Sequence, residues 1–373
     1  MIGASDSPVC GVRDYAQTLR MALEARGVRV STHWLEMGGG DRPMPIRSWL
    51  ASFDKLVREE QPHWILWHYS VFTYGHRGVP LLAPLVASRL RRVKTPLVGF
   101  LHEYAYPYGH RGMRGMAQAT TQRVALAYVY RAVVAAVVTT ECREVWLGER
   151  RWLPWRPTLF LPVCASVVFD DVHRVPENEN GMVVGIIGFG SDTYVIDPIV
   201  EAVAKLRGRH PCVRLVLVGA PGPEHALAQA WRESAVRYGL RDALAFTGLL
   251  SADEYVRAVT GVDIVVFPDP EGPASRKTTL AVGLAAGKPT VALDGPGTWR
   301  RAVDEGAVAV VPADATRIEQ ELVELSENKS EWSEAAARAS AFYQRWQAPH
   351  VLASRLLDFL ESIPPRRTAI RAL

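Results

Sequence analysis

VDIVVFPDPEGPASRKTTLAVGLAAGKPTVAL, residues 262–293, reads as a strand, a loop, a helix and a second strand. The runs 262–267 and 289–293 are almost continuously apolar, the mark of strands buried on both faces of a parallel sheet. Between them a Pro- and Gly-rich loop follows Pro268, and a helical pattern covers 276–286.

The same alternation continues outward. Candidate strands recur at 182–188, 213–219, 244–248 and 307–312, with helices at 197–209, 224–238 and 252–260; the last opens on a capping box, Ser251 with Glu254. The first part of the chain has strands at 64–69, 96–102, 134–140 and 158–163 and a helix at 14–26. This rhythm predicts an α/β protein of two doubly wound parallel-sheet domains. Residues 165–181 lose all hydrophobic period and gain Pro, Asn and Gly, so the expected domains are 1–165 and 166–330. A long amphipathic segment over 331–361 and a basic tail make up the C-terminal stretch 331–373. Only MIGA stands before the first loop, which predicts either a very short first strand or a chain that begins later than the natural gene product.

The 373 residues match two domains of ordinary size, and 48% hydrophobic with 22% charged content excludes a disordered chain. Cys10, Cys142, Cys164 and Cys212 are scattered with no Cys-x-x-Cys pair. That excludes a disulfide scaffold and a zinc ribbon and fits a reducing cytoplasm. No basic region followed by an apolar run opens the chain, so no signal peptide is expected. Val124–Val138 is apolar apart from Arg131, but its 15 residues fall short of the roughly 20 of a membrane span. It reads as a buried helix running into a buried strand.

Charge is unevenly divided. Residues 1–165 hold 21 Lys and Arg against 12 Asp and Glu, a balance of +9; residues 166–373 hold 22 against 27, a balance of −5. A basic first half attracts lipid phosphates, an acidic membrane leaflet or a phosphorylated substrate, and is equally compatible with ordinary surface scatter. No nucleic acid is expected as partner, because no helix-turn-helix, finger or aromatic-rich RNA-binding pattern accompanies the charge.

Ligands of open α/β sheets bind beyond the carboxyl ends of the strands. Gly11, in the loop before the first helix, either lets the backbone approach an anion or forms a plain turn. Tyr69 and Ser70 end one strand and His102-Glu103 the next; His102 is either a core histidine or a cleft-lining donor. No second His follows His102-Glu103 at helical spacing, so it is not a zinc motif, and no metal is expected. The pentapeptide YGHRG follows each of these strands, at 74–78 and 108–112. If both loops lie at one sheet edge, His76, Arg77, His110 and Arg111 surround one cleft suited to a phosphate or a sugar-rich acceptor. Coincidence between two Gly-terminated turns is the alternative.

Further on, Ser275, Thr278 and Thr279 offer caps to the helix after Pro268, and Arg276 and Lys277 add charge to its already positive end. Hydroxyls, backbone N–H groups and cations at one helix start form a diphosphate cradle; a solvated basic turn is the plainer alternative. Both cations reach one ligand only if Arg276 is still in the loop. GLAAGK (283–288) is one residue short of a phosphate loop and has Pro289 where Ser or Thr belongs. The sequon Asn328-Lys329-Ser330 has no meaning without a secretory signal.

Together these residues resemble the retaining glycosyltransferases of family 4, whose GT-B fold has two facing Rossmann-like domains and a C-terminal helix crossing back. The likeness covers nearly the whole chain. CGVRDYAQTLRMALEARG (10–27) is similar to the family's glycine loop and first helix, and AVVTTECREVWLG (136–148) to a late strand and helix of the first domain. VRLVLVGAPG (213–222), FTGLLSADEYVRAVTGVDIVVFPDPEG (246–272) and LAAGKPTVALDGPG (284–297) are similar to its nucleotide-sugar domain. The chain departs from the family in two places. The loop GFGSDTYVID (188–197) lacks the usual Arg and Lys, and the Glu-x7-Glu motif is broken: Glu271 stands for the first Glu while Val282 occupies the place of the ribose-binding second. SRKTTL (275–280) resembles a variant branch in which Arg276 and Lys277 take over the diphosphate contacts.

The resemblance implies metal-independent transfer of a sugar, with retention, from a nucleotide-diphosphate donor and without a cofactor. The expected site uses His102, Arg276 and Lys277 in catalysis. It uses Gly11, Gly188, Phe189, Gly190, Gly219, Glu271, Ser275, Thr278 and Thr279 for the donor, and Tyr69, His76, Arg77, Glu103, His110 and Arg111 for the acceptor. An anionic or lipid-linked glycan acceptor, peripheral association with the inner face of a membrane and a cell-envelope role go with the basic first domain. The rival expectation is a degenerate GT-B protein that binds nucleotide or glycan without catalysis. Sugar-nucleotide epimerisation or phosphorolysis lacks a carboxylate pair or cofactor lysine to support it.

Overall fold

The computed structural model describes residues 1–5, 10–36, 46–75, 78–108, 112–169 and 181–364. In chain order the elements are β1 (Ile2–Ser5), α1 (Gly11–Glu24), β2 (His33–Glu36), α2 (Ile46–Glu60), β3 (Ile65–Ser70), α3 (Ala83–Leu90), β4 (Leu97–Glu103), α4 (Gly112–Ala132), β5 (Ala135–Val138), α5 (Glu141–Gly148) and β6 (Thr158–Phe160). Then follow β7 (Val183–Ile187), α6 (Asp197–Arg209), β8 (Arg214–Val218), α7 (Ala226–Arg237), β9 (Leu244–Phe246), α8 (Ala252–Thr260), β10 (Ile264–Phe267), α9 (Thr278–Ala285), β11 (Thr290–Leu293), α10 (Arg300–Asp304), β12 (Ala309–Val311), α11 (Ala315–Glu327), α12 (Lys329–Trp346) and α13 (Pro349–Ser362).

The chain divides into two compact units, one of Met1–Pro162 together with Leu352 onward, the other of Val163–Val351. Each holds a six-stranded sheet, in order β2-β1-β3-β4-β5-β6 and β12-β11-β10-β7-β8-β9, with every neighbouring pair parallel. The continuous apolar runs are the reason: β3, β5, β7, β10 and β11 are buried at every position, as strands covered by helices on both faces must be. In each sheet the strand order reverses once, between β1 and β3 and between β7 and β10. A crevice opens at the carboxyl end of such a reversal.

The apolar stretch through residue 138 is the end of α4 running into β5; the strand is buried as expected, but the helix is buried on one side only, with Val124 and Tyr128 exposed. Among the described residues no helix is long and apolar enough to cross a membrane. β1 supplies the very short first strand. Two features differ from the sequence reading. The edge strand β2 is absent from it, because only Leu35 of its four residues is buried. The amphipathic stretch 331–361 is two helices rather than one: α12 stops at Trp346, and Pro349, which has no N–H to continue it, starts α13. From Leu352 onward α13 belongs with the first unit, where the Arg355 guanidinium donates to the Phe160 carbonyl at 2.9 Å. Residues 170–180 of the expected linker and 365–373 of the basic tail lie outside the described residues.

Candidate functional site

In the second unit three loops leave the carboxyl edge of the sheet and are stitched together by backbone hydrogen bonds. After β7, Gly188 N–H donates to the Val218 carbonyl (2.8 Å) and Phe189 N–H to that of Ala220 (3.0 Å); Val195 N–H donates to Pro268, just past β10 (3.1 Å). Gly188 has φ +66°, and a Cβ there would stand 2.9 Å from Thr279 Cγ2, in the first turn of α9. The backbone after β7 is thus pressed against the start of α9 at the point where the strand order reverses.

α9 begins at Thr278, and its N-cap, Lys277, makes no side-chain cap. Ser275, expected to help cap the helix, is buried instead, and its carbonyl accepts from Val163 N–H at 3.0 Å. The first-turn N–H groups, which no helix satisfies internally, therefore face the loop side with a partial positive charge. Arg276 lies in the turn before the helix, which meets the condition for it and Lys277 to serve one ligand. Lys277, however, is engaged: its Nζ sits 2.5 Å from Oδ2 of Asp269, a carboxylate only 2% exposed. Asp269 Oδ1 accepts from Glu271 N–H (3.0 Å), so this aspartate organises the PDPEG loop; burial, with the Asp269 charge adding to it, pushes the Tyr194 phenol up to about 12. The Lys277 and Asp269 charges cancel. What remains at this edge is the positive end of α9, with Arg276 in the turn just before it.

The first unit has a comparable edge. A register shift between Tyr69 and Ser70 brings Ser70 opposite Glu103 and breaks the β3–β4 ladder where both strands end. His102 Nε2 lies 3.0 Å from Nδ1 of His68 on β3, and Tyr15 of α1 packs edge-on against His102 at 5.5 Å. Burial pushes His102 down to about 4 and His68 well below its usual range, so both rings are neutral near pH 7. His68 Nε2 is buried with no hydrogen-bond partner. An orphaned N–H costs more than an orphaned lone pair. His68 Nδ1–H is therefore assigned as the donor, which leaves His102 with its proton on Nδ1. Beside it, Glu103 is ion-paired to Arg143 of α5 at 2.6 Å, and Arg143 also donates to the His102 carbonyl.

The two YGHRG loops follow neighbouring parallel strands, so both leave the same edge of the first sheet. Buried Gln122 of α4 ties them together, donating to the Gly78 carbonyl and accepting from Tyr106 N–H, each at 2.8 Å. His76, Arg77, His110 and Arg111 themselves lie outside the described residues.

Other expected contacts change place. Tyr69 is wholly buried, stacked on Tyr74 at 5.7 Å, so it is a core residue and not an acceptor-facing one. Phe189 is likewise in the core, edge-on to Phe246, and only its backbone lies at the loop. Val282 is fully buried inside α9. Glu271 is exposed, and Gly219 takes φ +88° with its N–H donated to Thr247 Oγ1 at 2.9 Å. Among the described residues no atom lies within 4 Å of a Cβ built at Gly11 or Gly190, and neither has a left-handed φ. His68, Asp269, Arg143 and Gln122 escaped the sequence reading. A 490 Å³ apolar cavity in the first unit, lined by Leu23, Phe53, Ile65 and Leu360 among others, sits at the opposite, amino-terminal end of its strands.

Residues 181–328 match the family model described as glycosyl transferases group 1. No curated protein sequence matches the chain. Among solved structures it is similar to a sucrose-phosphate synthase from Thermosynechococcus elongatus, with TM-score 0.71, 16% identity, and 96% of this chain and 98% of that one covered. It is also similar to Anabaena HepE solved with UDP and glucose, with TM-score 0.68, 16% identity, and 97% and 99% covered. A third is a putative UDP-N-acetylglucosamine 2-epimerase from Listeria monocytogenes, with TM-score 0.61, 14% identity, and 97% and 95% covered. The two parallel six-stranded sheets and these likenesses establish a GT-B, α/β fold, and the group 1 glycosyltransferase match falls on the second sheet.

Proposed function

We propose that the chain is a glycosyltransferase that binds a nucleotide-diphosphate sugar at the carboxyl edge of its second sheet and transfers the sugar with retention. The observation that carries this reading is Gly188, at φ +66°, packed on Thr279 at the uncapped start of α9, with Arg276 in the turn just before. A diphosphate accepts hydrogen bonds from that first turn and a bidentate pair from a guanidinium. The group 1 match over 181–328 supports the reading, as does HepE, solved with UDP and glucose.

In the reaction the bond from the sugar's anomeric carbon to the diphosphate oxygen breaks first, leaving an oxocarbenium-like sugar. Charge gathers on the departing diphosphate, so donors held rigidly at its oxygens lower the barrier most. Arg276, Thr278 and Thr279 are assigned that work, without a metal. Lys277 acts by holding Asp269 and the loop, since its charge is already matched. The acceptor hydroxyl attacks the face the diphosphate leaves and gives its proton to it, so no side-chain nucleophile is required. Neutral His102, with Glu103 held by Arg143, offers a hydrogen bond to a hydroxyl and no formal charge.

One observation favours a second reading, a nucleotide or glycan binder without turnover: Val282 leaves no carboxylate for the ribose and is itself buried. Donor consumption decides between them. Release of nucleoside diphosphate from a sugar nucleotide, lost in Arg276→Ala, supports transfer. Binding of the donor with no turnover, whatever acceptor is supplied, supports the binder.

A further inference from the structure

Between Gln61 and Thr140 the sequence holds nine Lys and Arg and a single carboxylate, Glu103, which Arg143 neutralises. α4, 21 residues and about 30 Å long, lies within this stretch. One side of α4 buries Ala119, Gln122, Leu126 and Val129. On the other, Met113, Met116, Val124 and Tyr128 are 47% to 88% exposed. Spacings of three, eight and four residues, with exposed Thr120 between Met116 and Val124, put them in one stripe along the helix, where the water-facing side of a surface helix is normally polar. On the neighbouring helix α3, Leu85 is 51% exposed.

Between α3 and α4 opens a groove of 300 Å³ lined by Ala87, Ser88, Arg91, Tyr128 and Arg131. No carboxylate lines it, and Arg91 has no acidic partner among the described residues. Arg131 donates to the carbonyls of Ala127 and Trp152. Close to that contact two indoles face outward, Trp152 at 39% and Trp155 at 80% exposure. Exposed Arg92 and Lys94 follow Arg91 in the same turn.

We propose that this face of the first unit lies on an anionic lipid bilayer. Arg91 and Arg131 clasp the phosphate of a lipid headgroup in the groove, while the α4 stripe and Trp155 enter the interface. Cations attract the leaflet, apolar side chains beside them gain by leaving water, and Trp rings settle at headgroup depth. A protein partner would need a compensating acidic surface of its own; a leaflet supplies that charge everywhere.

Co-sedimentation of the full chain with vesicles tests the assignment without reference to any donor or acceptor. The chain is expected to partition onto phosphatidylglycerol-containing vesicles, far less onto pure phosphatidylcholine, and less at high salt. Arg91→Ala/Arg131→Ala is expected to lower the partition coefficient about thirtyfold, the factor for two cations at a leaflet. Met116→Asp/Val124→Asp, at exposed positions that leave the fold intact by circular dichroism, is expected to lower it as well. Equal binding to both vesicle types, or undiminished binding by the arginine variant, would overturn the proposal. So would no vesicle binding, whether accompanied by binding of soluble glycerol phosphate or by self-association in sedimentation velocity.

Discussion

Acidification acts on the first unit through His102. Its ring is buried, and burial, opposed by Glu103 and assisted by Arg143, moves its pKa from an ordinary 6.5 to about 4. Between those values the unfolded chain carries a proton on this ring that the folded chain does not. Stability therefore rises with pH across the window and is lost as pH falls from 6.5 toward 4. A shift of this size corresponds to about 3 kcal/mol, a large share of the 5–15 kcal/mol typical of a domain. His68 acts in the same direction, through burial and then the neighbouring His102. His102→Gln keeps a polar side chain but removes the titration. Urea unfolding of the parent and this variant at pH 7, 6, 5 and 4.5, read at assigned histidine ring signals by NMR, should show the parent losing about 2.5 kcal/mol more than the variant, most of the full shift. A His102 ring titrating near 6.5, or parallel losses in both chains, would refute the reasoning.

Four further outcomes are expected. Gly188→Ala should cost roughly 1–2 kcal/mol in thermal unfolding, because alanine resists φ +66° and its methyl meets Thr279. Gly190→Ala, with open space and ordinary φ, should leave the melting temperature alone and weaken nucleotide binding; unchanged binding would remove Gly190 from the site. Gln122→Met should leave the Gly78 carbonyl and Tyr106 N–H without their partner, costing about 1–3 kcal/mol for each and accelerating hydrogen exchange at Tyr106. Arg276→Ala should reduce donor turnover at least tenfold with the fold retained, and full turnover would end its assigned role.

Strands such as β7, β10 and β11 were legible because a run buried on both faces is apolar at every position. The edge strand β2, HWLE, has one buried residue and pairs within its sheet with β1 alone, so periodicity carries no trace of it. The placing of candidate ligand residues at the carboxyl ends of the strands also followed from local pattern, but the start of α9 did not: the helical pattern covers 276–286, whereas the helix begins at Thr278 and leaves Arg276 in the turn before it. Nor did partnerships follow from it. Asp269 and Lys277 meet across a Pro-rich loop, and Glu103 and Arg143 are 40 residues apart. Residues at a strand's end point inward or outward according to the pleat and the bulge. Tyr69 and Phe189 turned inward for that reason, and sequence alone does not fix it.

The most direct measurement is calorimetric titration of UDP, GDP and ADP into the parent chain and Arg276→Ala. The account predicts that at least one of these diphosphates binds the parent and that the variant binds it ten- to a hundredfold more weakly, the worth of a charge-assisted pair of hydrogen bonds. Equal affinity in the two chains, or no binding of any diphosphate, would contradict it.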